Sequence, residues 1–60
     1  MTRFTDEEKK KAAEREATMR RRVYPGWVAV GRMTQAEADR QIALMDEIAR
    51  DYRARSELPL

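Results

Sequence analysis

Sixty residues with 42% apolar and 40% charged side chains, a net charge of +2 and neither cysteine nor histidine make one small unit. Disulfides are excluded, and a zinc site has lost its two usual ligand types. A chain this short buries only about 60% of its unfolded surface, so self-association as a homodimer or higher oligomer is the expected staple. No apolar run is long enough for a bilayer, and Met1-Thr2-Arg3-Phe4 leads straight into charge, which predicts no signal peptide.

The first predicted element is a helix over residues 5–23. Thr5 or Asp6 can cap it, and Asp6, Glu7 and Glu8 suit the positive end of its dipole. Its apolar face is thin: Ala12, Ala13, Ala17, Met19 and Val23. The first turns have little to bury, so residues 1–8 are open to disorder.

Tyr24 precedes a proline and is pushed away from helical geometry, which predicts a bend there. Pro25 can then open a short helix over residues 25–30, with Trp27, Val28 and Val30 as its bulk. Gly31 is placed to end it in a left-handed conformation.

Thr34-Gln35-Ala36-Glu37 reads as a capping box and starts a second long helix, expected over residues 34–53. Ala38, Ile42, Met45, Ala49 and Tyr52 step by four and three residues and form one stripe, widened by Leu44 and Ile48. Residues 54–60 read as an irregular tail. The expected fold is all-α: two helices joined by a bent Tyr-Pro-Gly-Trp connector with a short helical turn. The first helix offers mainly alanine, so the stripe is expected to pair with a second copy in a homodimer.

Charge is concentrated at the bend. Residues 1–18 hold five basic and five acidic side chains, and residues 33–57 hold four and six. Arg20, Arg21, Arg22 and Arg32 fall between them with no acid. Arginine beside Tyr24 and Trp27 is a natural chemistry for clamping phosphate and stacking a base, which makes Arg20, Arg21, Tyr24, Trp27 and Arg32 the candidate ligand-binding residues. The competing reading is structural: arginines suit a helix C-terminus, and a tryptophan in so small a chain is more often a core plug. Three consecutive arginines also fan round a helix and cannot all meet one ligand. No constellation for catalysis or cofactor binding is present, so an enzyme is not expected.

Met19 to Pro25, then Trp27-Val28, Gly31-Arg32-Met33, Ala38, Ile42, Met45, Ile48 and Asp51-Tyr52 form a pattern over roughly residues 15–53. It resembles a widespread family of very small tailed-bacteriophage proteins, and that family looks like the viral sponge proteins typified by the Hachiman anti-defence protein. That resemblance implies a compact homodimer in the cytoplasm of an infected bacterial host. It also implies sequestration of a cyclic ADP-ribose-type immune signal without catalysis. Two alternatives use other features: an inhibitor docking its apolar helix face on a host protein, or a phage accessory protein touching nucleic-acid phosphates.

Overall fold

The computed structural model describes residues 3–57 and shows two helices, α1 over Asp6–Ala29 and α2 over Gln35–Ser56, packed along one another as a hairpin. The hairpin measures 47 × 18 × 17 Å.

Both helices begin at threonines for the same local reason. The Thr5 hydroxyl accepts from the Glu8 backbone N–H at 3.0 Å, and the Thr34 hydroxyl accepts from that of Glu37 at 3.1 Å. Each satisfies a donor that the first turn leaves unpaired. α1 ends where Gly31 takes φ +79°. The N–H of Arg32 reaches the Trp27 carbonyl at 2.9 Å and that of Gly31 reaches Val28 at 3.1 Å. This pair of bonds is a Schellman closure with glycine at the left-handed position.

The middle of the chain differs from expectation. No break separates residues 5–23 from a short helix over 25–30: α1 runs through Pro25 and ends only at Ala29. Proline in a helix interior removes one backbone hydrogen bond and costs about 3 kcal/mol. Here Pro25 lies on the exposed side, where water can take the Arg21 carbonyl. Helical bonding resumes beyond it, with the Val30 N–H on the Gly26 carbonyl at 3.2 Å. The loop is therefore the short segment from Val30 to Thr34, not a Tyr-Pro-Gly-Trp bend. Two smaller corrections concern the ends. α1 starts at Asp6 after its Thr5 cap, one residue inside the expected start, and α2 continues to Ser56 rather than 53. Residues 1–2 and 58–60 of the predicted terminal segments lie outside the described residues.

The seam between the helices is made of alanine. Ala13 and Ala17 of α1 and Ala38 and Ala49 of α2 are the buried residues, and among the described residues no large side chain is fully buried. Ile42, Met45 and Tyr52 flank the seam half-buried. Along the α2 stripe Ala38 and Ala49 are buried within the chain, Ile42, Met45, Ile48 and Tyr52 are half-buried, and Leu44 stays exposed. Alanine's lack of bulk, read as a weakness of α1, is what lets the helices approach closely enough to bury their facing residues.

Polar contacts fix one constant register along the seam. Asp6 pairs with Arg55 at 3.6 Å, the Lys9 ammonium sits 5.4 Å from the Tyr52 ring centroid, and Arg20 donates to the Gln41 carbonyl at 3.0 Å. Arg55 lies over the same Tyr52 ring at 5.3 Å, so that ring collects two cations.

Candidate functional site

The five candidate residues separate into two groups. Arg20 and Arg21 lie in mid-helix, because α1 continues beyond them, so a helix C-terminus does not account for them. Arg20 donates from Nε to Glu16 at 2.9 Å, and from one Nη to the carbonyl and side-chain oxygens of Gln41 at 3.0 and 3.4 Å. Its side chain is 18% exposed. Arg21 pairs with Asp46 of α2 and remains half open to solvent. Successive helical residues point ~100° apart, so these two arginines reach α2 on opposite sides of the alanine seam, and Arg22 turns away to the surface.

Arg21 also lines a shallow groove of about 320 Å³ on its side of the seam. Ala17 and Ala49 form its floor, with Glu14, Asp46, Arg50 and Arg53 around it. Three cations against two acids leave this groove weakly basic.

The second group gathers at the loop end of the hairpin. Tyr24 and Trp27, one helical turn apart, have ring centroids 5.4 Å apart with planes tilted by 31°. The guanidinium of Arg32 lies 5.2 Å from the Trp27 centroid, brought there by the Gly31 turn. Trp27 is 38% exposed, so it is not the core plug that a small chain usually makes of its tryptophan. Its ring is held from one helix and one loop residue while still open to a further partner.

Seven residues of helix, about 10 Å, separate Arg20 from Trp27. α1 runs on through Pro25, so Arg20, Arg21, Tyr24 and Trp27 all lie on one continuous helix. Sequence reasoning missed the partners Gln41 and Asp46. They lie 21 and 25 positions from their arginines, and no local pattern marks them.

Of the titratable groups, Glu7 stands out. Its carboxyl is held below the usual glutamate range, first by its hydrogen bond with Lys10 and then by the charges of Lys10 and Lys11. The Lys10 ammonium is 3.1 Å from it. Among the described residues no cluster of three metal-ligating side chains forms, and no helix is long and apolar enough to cross a membrane. No family model, curated protein or solved structure matches this chain.

Proposed function

We propose that this chain is a phage anti-defence sponge: a homodimer that binds and sequesters a cyclic ADP-ribose-type nucleotide signal without catalysis. The observation that carries this reading is the Tyr24–Trp27–Arg32 stack at the loop end, with Trp27 and Arg32 exposed and Tyr24 half-buried. A purine has a π-face that can add to such a stack, worth about 1–3 kcal/mol per base, and a guanidinium can meet a diphosphate bidentately. In this reading Trp27, Tyr24 and Arg32 contact the ligand. Arg20 and Arg21, engaged by Gln41 and Asp46, set the spacing of the helices that present it. The resemblance of residues 15–53 to the viral sponge proteins supplies the ligand class.

The test is isothermal titration of the purified protein with cyclic ADP-ribose isomers and, as controls, linear ADP-ribose and mononucleotides. Saturable binding of a cyclic isomer, recovered chemically intact after denaturation, is the expected result. Trp27→Ala should weaken it roughly five- to hundredfold, the loss of one stacked base. A protein that binds none of these nucleotides would remove the reading.

A second reading, a module that docks on a host protein, is favoured by Met19 and Leu44, apolar side chains 45% and 46% exposed outside the seam. Nucleic-acid binding is less well supported, because two of the four central arginines are held by α2.

A further inference from the structure

The two broad sides of the hairpin are chemically different. The side carrying Arg21 and Asp46 is the charged groove described above. The opposite side carries the Arg20–Gln41 contact. At ~100° per residue it collects Met19, Val23 and Trp27 from α1 with Leu44 and Ile48 from α2. Met19, Trp27 and Leu44 are exposed, and Val23 and Ile48 are half-buried. Five bulky apolar side chains outside the seam therefore share one side, while the buried residues are alanine.

We infer that this apolar side is covered by a second copy of the chain, forming a four-helix bundle in which α1 lies over the partner's α2. The inference names the surface of the homodimer in the proposed function and rests on that part of it. Two quantities favour a second copy as the occupant. A hairpin 47 Å long and 18 Å wide offers a footprint of about 850 Å², close to the ~800 Å² per partner of a stable interface. Among the described residues no large side chain is fully buried, which leaves a fold of this size short of apolar burial, and an identical chain is the partner always present when it folds.

The seam register and edge charge favour the orientation. A two-fold axis along the hairpin repeats between α1 and the partner's α2 the register that pairs Lys9 with Tyr52 and Arg20 with Gln41. It sets Met19 beside the partner's Leu44 and Arg15 beside the partner's Glu47. Asp51 adds a second acid on the α2 edge, against one cation, Arg40. Stacking α1 on the partner's α1 would instead place Arg15 against its own copy, and like charges cost affinity.

The experiment is sedimentation velocity of the nucleotide-free protein over a concentration series, paired with cysteine cross-linking, which the absence of native cysteine makes clean. A species of twice the monomer mass is expected. Leu44→Asp should raise its dissociation constant by about a hundredfold, since it buries a carboxylate without a partner. Because that variant can fail by unfolding, Met19→Cys chains are also mixed with Leu44→Cys chains and treated with a short bis-maleimide. Efficient cross-linking is expected there, against little for Glu14→Cys mixed with Arg50→Cys on the charged side. A chain that stays monomeric at every concentration, or cross-links best through the charged side, overturns the inference. A dimer through this side that binds no nucleotide leaves the surface standing and removes the sponge; a monomer that binds nucleotide does the reverse.

Discussion

The seam and the loop end of this hairpin are built on opposite principles. Between the helices, where proteins usually place leucine and isoleucine, the buried residues are Ala13, Ala17, Ala38 and Ala49. At the loop end, where small polar residues are usual, the chain places Tyr24, Trp27, Val30 and Arg32, with Val30 71% exposed. Large side chains bury more area and contribute more to folding, about 1.5–3 kcal/mol each when fully covered. The seam makes a narrow hairpin, and bulky side chains on its end and apolar side stay open to solvent.

The largest expected effect comes from breaking the contrast at the seam. Ala17→Leu, at a position 2% exposed, adds bulk where the helices touch. It should cost about 1–3 kcal/mol by overpacking. Thermal unfolding followed by circular dichroism measures this, and an unchanged midpoint would mean that the helices do not meet through these alanines.

A pair of glycine substitutions sharpens the loop end. Gly31 has φ +79°, so Gly31→Ala places a side chain in a left-handed conformation and should cost about 1–2 kcal/mol. Gly26 lies inside α1, and a Cβ added there meets nothing within 4 Å. Gly26→Ala should therefore stabilise by about 0.5–1 kcal/mol. Opposite shifts in the same melting experiment are the signature of a helix that runs through Pro25. If Gly26→Ala also destabilised, residue 26 would lie outside the helix.

The smallest effect lies at the far end from the loop. The Glu7 carboxyl is depressed in the folded chain, so between its folded and unfolded pKa values the unfolded chain binds more protons. Its contribution is present above the unfolded value, near 4.5, and is lost as pH falls through the folded one. The Glu7 side chain is about half exposed, so Glu7→Gln should flatten the acid limb of the stability–pH curve only slightly, less so in high salt. Parallel curves for the two proteins would show that the Lys10 contact does not persist in solution.

Sequence alone determined the all-helical class, the capped starts of both helices and the Gly31 turn, but neither the passage of α1 through Pro25 nor the end of α2 at Ser56. Thr5, Thr34 and Gly31 act on backbone groups within a few positions of themselves, so their hydrogen bonds follow from local geometry. The stripe on α2 was equally legible, because periodicity is a property of one helix. Tertiary structure decided what that stripe faces, whether α1 survives Pro25, and where Arg20 and Arg21 point. What the stripe faces and where the arginines point depend on contacts between residues about twenty to fifty positions apart. Close approach at the seam brings Gln41 and Asp46 within reach of the arginines, and these contacts hold α1 to α2 just before Pro25.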